Sequence, residues 1–389
     1  MKKSLFPKWR HHYLGCLSVG IVLMIFAPIA NAAPKTANIG VVAGLSGNAA
    51  PYGLDFFRGI ELAASELNAR GGITVDGEKY ELKIFSYDNE MKPAVAIKAA
   101  LRLRNLDNCP VIFCAESLTA MSVMKYNEKE KFLFMAVTTT PEFTQQGNKL
   151  AVRITTPFTN YVQVVMDEAW KQRLRKAGIM VLSFETSKRW SVYFEKKWKE
   201  RGGEIVGTEE ASVNETDFYS RLTKLISKNP DVIVNPSAAD ESASLLVKQG
   251  RELGYKGRFI FSEACDGAAL IKFAGSKNVE GTLIAGGTSS LKTPEVLGYI
   301  KRYMEKYPAG VIQPAGPKGY EGLILVAKAM EKANTTTDPY RLRAALPLAL
   351  PVPKEYHVVG FMEVTEQGET GSPAFVIQIK NGEKVILNQ

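Results

Sequence analysis

Between an apolar run at Ile39 to Ala43 and an amphipathic helix that begins near Leu54 lies the turn GLSGNAAPYG, rich in glycine and carrying Tyr52. Loops that leave the carboxyl ends of strands are where α/β sheets bind ligands, which makes this turn a candidate binding edge. Residue arrangements for catalysis are scarce by comparison. His11 and His12 lie in the first 32 residues, so His357, in the apolar setting EYHVVGF, is the one remaining histidine and reads as structural. Neither a His-rich metal site nor a Ser-His pairing with a second histidine in reserve can be assembled. The nucleophile-elbow, phosphate-loop and HExxH patterns do not occur. Cys109 and Cys114 bracket PVIF, which reads as a buried strand, and five residues of strand span roughly 16 Å, too far for a disulfide. With Cys265 the count is odd, and no disulfide framework is expected.

Lys2, Lys3, Lys8 and Arg10 precede an apolar run from Leu14 to Ile29 that closes on Ala30-Asn31-Ala32. This reads as a secretory signal cleaved after Ala32. The run is short for a membrane span and is interrupted by Gly15, Gly20 and Pro28, which disfavours a retained anchor. Cys16 precedes the run where a lipoprotein acceptor would follow it. Loss of four cationic residues from the 49 Lys and Arg leaves 45 against 40 Asp and Glu, a net charge of +5. Because bases alternate with acids, as in KKWKERGGE, these are solvated helix faces and not a nucleic-acid footprint.

Short apolar runs alternate with helical patterns from Asn38 onward. Strands are expected at Ile39–Ala43, Glu81–Tyr87, Val111–Cys114, Phe132–Val137, Ile179–Phe184, Val232–Asn235, Phe259–Ser262 and Thr282–Ala285. Phe57, Ile60, Ala64 and Leu67 recur at three- and four-residue spacing and give the Leu54–Arg70 helix one sheet-facing stripe, ended by Gly71-Gly72. Further helices are expected at Pro93–Asp107, Phe158–Arg175, Asp240–Gly254, Pro294–Tyr307 and Lys318–Ala333. Repeated βα units predict a parallel, doubly wound α/β sheet. Chain crossings near Thr155-Thr156-Pro157 and Gly286-Gly287 would divide it into two lobes with a hinge. The tail alternates as hairpins, VVGFMEV and AFVIQIKNGEKVIL, with Asn381-Gly382 as a two-residue turn.

Four segments in consistent order, GLSGNAAPYGLDFFRGIELAASELNARGGI, YDNEMKPAVAIKAALRL, TTTPEFTQQG and GYEGLILVAKAM, resemble the periplasmic leucine/isoleucine/valine-binding protein family, the type I solute-binding proteins of ABC importers. The likeness runs from about Asn38 to Gln378, and its first segment is the specific one. It implies two Rossmann-like lobes with parallel doubly wound sheets, joined by a three-crossing hinge. The expected division is a signal peptide over 1–32, the first lobe over 35–154 and 288–366, and the second over 155–287 and 367–389.

The resemblance also implies site residues. Tyr52 would cover the ligand from the first lobe, an aromatic offering apolar area with little entropy to lose; a partly buried loop tyrosine is the alternative. Ser117, at the start of the helix running to Lys129, aligns with a serine that grips the ligand carboxylate, and free backbone N–H groups there favour an anion. It could equally be a simple N-cap. Threonine contacts fall on Thr138 and Thr139, with Thr140 open because the segment is one residue short. Trp190 stands where relatives carry a tyrosine wall, with plain packing as the alternative. Glu263 stands where amino-acid binders pair the ligand ammonium, although it could cap the next helix or meet a protein lysine; Asp266 is the fallback. Ala238-Ala239 replace an aromatic found in some relatives, leaving room for a bulkier ligand.

The implied function is an extracytoplasmic carrier, not an enzyme, that closes two lobes over an amino acid or similar small molecule and presents it to an ABC permease. A ligand sensor of the same superfamily, or a carrier of a non-amino-acid carboxylate or amide, is the alternative. No cofactor, metal or nucleic acid is expected, and the chain is expected to be a monomer. Intact-mass measurement of the exported protein should find the N-terminus at Ala33; a chain that keeps Leu14 to Ile29, or carries a lipid on Cys16, would contradict the signal reading.

Overall fold

A computed structural model describes residues 1, 35–47, 50–183, 185–212, 215–236, 240–265, 267–287 and 291–387. The cleavage site at Ala32, Ala238-Ala239 and Asp266 lie outside them. Among the described residues no helix is long and apolar enough to cross a membrane.

The first lobe is built on β1 (Lys35–Ala43), β2 (Ile73–Val75), β3 (Glu78–Asp88), β4 (Val111–Cys114), β5 (Leu133–Ala136) and β6 (Ala151–Arg153), in the order β2-β3-β1-β4-β5-β6. All neighbours run parallel except the β2–β3 hairpin. The second lobe uses β7 (Lys176–Leu182), β8 (Glu204–Ala211), β9 (Val232–Asn235), β10 (Arg258–Phe261) and β11 (Leu283–Gly287). A short ribbon, β12 (Glu363–Val364) with β13 (Thr370–Gly371), precedes β14 (Ala374–Lys380) and β15 (Glu383–Ile386). The second sheet has the order β15-β14-β11-β10-β9-β7-β8, its last two strands added antiparallel. The chain therefore leaves the first sheet after β6, leaves the second after β11, and returns to it between β13 and β14.

The helices are α1 (Ala50–Ala69), α2 (Pro93–Asn105), α3 (Ser117–Glu130), α4 (Phe158–Lys171), α5 (Glu185–Glu200), α6 (Tyr219–Ile226), α7 (Asp240–Glu252), α8 (Gly267–Ala274), α9 (Ser276–Val279), α10 (Pro294–Lys306), α11 (Ala315–Ala333) and α12 (Pro339–Ala345). Strands such as VIFC and LFMA are buried at every position because helices cover both faces of a parallel sheet. The eight strands expected from apolar runs are all present. Missed were β2 and β6, three residues each, and β8, an edge strand whose sequence EIVGTEEA has too little apolar alternation to show.

Cys109 and Cys114 form no disulfide with each other or with Cys265, and all three are buried. Desolvation pushes the Cys109 and Cys114 thiols up to about 12, far from the thiolate range that reactivity requires.

The tail departs from expectation in one place. Asn381 and Gly382 both take positive φ, 53° and 75°, and turn the β14–β15 hairpin as their sequence demands. VVGFMEV, however, is no hairpin: only Glu363 and Val364 pair as strand. Its backbone donors go elsewhere. The buried carboxylate of Glu321, in the GYEG stretch of α11, accepts the N–H groups of Val358 (2.7 Å), Val359 (2.6 Å), Gly360 (3.0 Å) and Phe361 (2.9 Å). Four successive donors wrapped on one carboxylate cannot also join a strand ladder. Glu321→Ala orphans all four, and at 1–3 kcal/mol for an unsatisfied buried group the variant should lose about 3 kcal/mol or more. Urea unfolding checks this; a loss under about 1 kcal/mol would show that water replaces the carboxylate without cost.

Candidate functional site

Both sheets point strand ends at one cavity of about 740 Å³, within the range of small-molecule sites. From the first lobe come Tyr52, Ser117, Thr138, Thr139 and Thr140, together with Glu116, Lys318 and the apolar Met91, Met121 and Val137. From the second come Glu263, Ala264, Glu185, Thr186 and Arg189.

Tyr52 sits in the first turn of α1, half buried, so the glycine turn delivers it to the cavity wall. Burial and the nearby charges of Glu116, Asp55 and Glu263 raise its hydroxyl pKa, keeping it a neutral donor.

Ser117 opens α3, but it is not the cap residue: that position falls to Glu116, in extended backbone with no side-chain cap bond. The Glu116 carboxylate instead accepts from the Gly44 N–H (2.8 Å), Asn89 Nδ2 (2.7 Å) and Thr119 Oγ1 (3.1 Å), tying the β1 loop to the start of α3. Burial raises its pKa and these three donors oppose the rise. A chain of hydroxyls leads toward the cavity. The Thr140 N–H donates to Thr138 Oγ1 (3.2 Å), and the Thr138 hydroxyl donates to Ser117 Oγ (2.9 Å). The Ser117 hydroxyl then keeps its own proton for an acceptor in the cavity. Arg153, fully buried, steadies this loop by donating to the Thr140 carbonyl (3.0 Å) while its other nitrogen meets Glu369 at 2.6 Å.

Glu263 follows β10 and its Oε2 is buried with no hydrogen-bond partner. Desolvation raises its pKa, opposed by its own backbone N–H and by the charge of Lys318. Lys318, only 8% exposed on α11, has its pKa lowered by burial, opposed by Glu263 and Asp55. No ion pair or hydrogen bond to Lys318 is present among the described residues. Arg189 bridges the lobes at the rim, with Glu142 at 2.9 Å across the cleft and Glu185 at 2.7 Å on its own helix.

Five of the six residues expected in the site thus line one cavity. Trp190 does not, which corrects the expectation of an aromatic wall there. It is fully buried and stacks on Phe194 (5.5 Å, 13°), which stacks on Trp198 (5.1 Å, 22°) in the core of the second lobe. Positions 190, 194 and 198 share one helix face, and that i, i+4, i+8 aromatic spacing was the available signal. Its neighbour Arg189 faces the cavity. Sequence reasoning also missed Glu116 and Lys318. For Lys318 the hint was a lysine in AGPKGYEG, where every other residue but Glu321 is apolar, small or aromatic.

Two α/β lobes with a shared cavity at their strand ends define a two-lobed ligand-binding protein of the periplasmic type. The periplasmic binding protein family model matches residues 36–384, and the chain belongs to that family. It is 27% identical over 338 residues to the Leu/Ile/Val-binding protein homolog 7 of Brucella suis, covering 81% of this chain and 82% of the relative. Among solved structures it is similar to the branched-chain amino acid transporter substrate binding protein LivJ of Streptococcus pneumoniae in complex with isoleucine (TM-score 0.75, 21% identity, 91% of this chain and 99% of that one). A solute binding protein of R. palustris in complex with benzoate is also similar (TM-score 0.72, 17% identity, 91% and 96%). At these identities the structural likeness speaks for the fold.

Beneath the cavity, Asp55 is fully buried and accepts from the Gly316 N–H; burial pushes its pKa up to about 7, with the Gln313 and Gly316 backbone N–H groups and the Lys318 charge opposing. The folded state therefore holds a proton that the unfolded chain, near the ordinary 3.8, gives up. The associated stability is present at low pH and lost as pH rises through about 7. Asp55→Asn keeps an acceptor for Gly316 and abolishes the titration. Relative to wild type it should gain on the order of 1 kcal/mol per pH unit between about pH 4 and pH 7, read by urea unfolding across that range. Parallel pH profiles for the two proteins would refute the assignment.

Proposed function

We propose that this protein is an extracytoplasmic solute-binding protein that captures an amino acid or a related small carboxylate between its lobes and delivers it to an ABC importer. The observation that carries the reading is the ordered hydroxyl chain at the start of α3, which ends in a free Ser117 donor facing the cavity. Adjacent helix N-terminal N–H groups add to the preference for an anion. Tyr52, Met91, Met121 and Val137 supply apolar area for the rest of the ligand. The named relatives bind branched-chain amino acids or benzoate, so the fold is compatible with acids that carry an ammonium and acids that do not. Nothing in the site requires bond-making chemistry: the cavity offers donors, acceptors and charge, and capture with release is a shift between lobe arrangements.

The second reading, an acid without an ammonium, is favoured by Lys318, whose charge already lies near Glu263. Either way the first test is the same. Denaturing the purified protein and analysing the supernatant by mass spectrometry should release a small carboxylate, and calorimetry with amino acids, their amides and the matching deaminated acids should find saturable one-to-one binding. Ser117→Ala should weaken that binding about fivefold, since a neutral hydrogen bond is worth about 1 kcal/mol and backbone donors remain. No released molecule and no binding across the panel would end the carrier reading.

A further inference from the structure

Resting on the carrier reading, we propose that Lys318 is a specificity-determining residue of the cavity, and that the site is built for a ligand of net charge −1: a carboxylate without an ammonium, or an amino acid with a second carboxylate. Lys318 extends from α11 of the first lobe and Glu263 from the end of β10 in the second; both line the cavity. Glu263 Oε2 is buried without a donor, and the Lys318 ammonium has no partner among the described residues. Each lies close enough to feel the other's charge without forming a direct ion pair. The remaining charges have other work. Asp55 accepts from Gly316 through Oδ2 alone and burial keeps a proton on it below about pH 7, Glu116 is engaged by three donors, and Arg189 by Glu142 and Glu185 at the rim.

Three ligand types can be set into this frame. A neutral α-amino acid places its carboxylate at Ser117 and its ammonium at Glu263, and leaves Lys318 buried beside a like charge with nothing to meet it. Such an uncompensated buried charge is strongly unfavourable. A carboxylate lacking the ammonium leaves Glu263 and Lys318 to neutralise one another across the cleft, so that every charge is matched. An amino acid with a second carboxylate matches every charge as well, ammonium to Glu263 and side-chain carboxylate to Lys318. The last two share a single excess negative charge, and the hydroxyls and helix N-terminus at Ser117 receive it.

Calorimetry on the full mature chain with L-valine, isovalerate and L-glutamate separates these cases, using wild type, Lys318→Met and Lys318→Gln, each checked for cooperative thermal unfolding. Wild type should bind isovalerate or L-glutamate at least about tenfold more tightly than L-valine. Removing the lysine should cost the preferred anion on the order of a hundredfold, the converted cost of breaking a buried pair, and should erase or reverse the preference over L-valine. A preference for isovalerate identifies the ammonium-free acid, and one for L-glutamate the second carboxylate. Wild type binding L-valine as tightly as either anion would overturn the proposal while leaving the carrier reading intact, and so would an anion preference that both variants keep. Failure of every probe on wild type would remove the carrier reading and this inference together.

Discussion

The close contact between α1 and α11 is the constraint on which the site depends. A side chain at Gly59 would put its Cβ 2.1 Å from the Gly316 carbonyl oxygen, so the two helices approach to backbone distance only because Gly59 lacks one, and a Cβ at Gly316 would meet the Asp55 carboxylate at 2.5 Å. Asp55, one turn before Gly59, takes the Gly316 N–H at the same crossing. Tyr52 lies one turn earlier on α1, and Lys318 two residues further on α11, so this single crossing sets two walls of the cavity. Further along α11, Glu321 gathers the donors of residues 358–361 and so holds the segment that leads back toward the second lobe.

Buried polar groups are costly unless satisfied, and here they are mostly satisfied by backbone and not by one another. Glu321 and Glu116 accept from main-chain N–H groups, and Arg153 donates to a main-chain carbonyl. Each therefore fixes a loop and not merely a side chain. Glu321 fixes residues 358–361, whereas Glu116 and Arg153 fix the loops beside Ser117 and Thr138 to Thr140, which is how a cavity wall built of loops can hold hydroxyls in a defined donor order.

The exceptions are as informative as the rule. Glu263 Oε2 is buried without a donor, Lys318 is buried without a partner among the described residues, and the two come from opposite lobes. Buried charge without a matched partner is unfavourable, which sets these two groups apart from the satisfied ones. Arg189 and Glu142 add an exposed pair across the rim, where solvent screening makes the contribution small.

Local sequence was sufficient for much of this. Fully apolar four-residue runs such as VIFC and LFMA specify buried parallel strands, and the alternation of such runs with amphipathic helices specifies a doubly wound sheet. Asn381-Gly382 specifies its own turn because only those residue types take positive φ at little cost. Tyr52, Ser117, Thr138, Thr139 and Glu263 were named by the family resemblance and not by local pattern; each follows a strand, and the strand ends converge on the cavity they line. Only the tertiary structure decided the rest. Whether Trp190 or Arg189 faces the cavity depends on how α5 is rotated against the sheet, and VVGFMEV fails to pair because Glu321, far away in sequence, takes its donors. Lys318 enters the site only through the α1–α11 crossing. Interactions between residues tens to hundreds of positions apart leave no local pattern, since neither partner's neighbours need change for the contact to form.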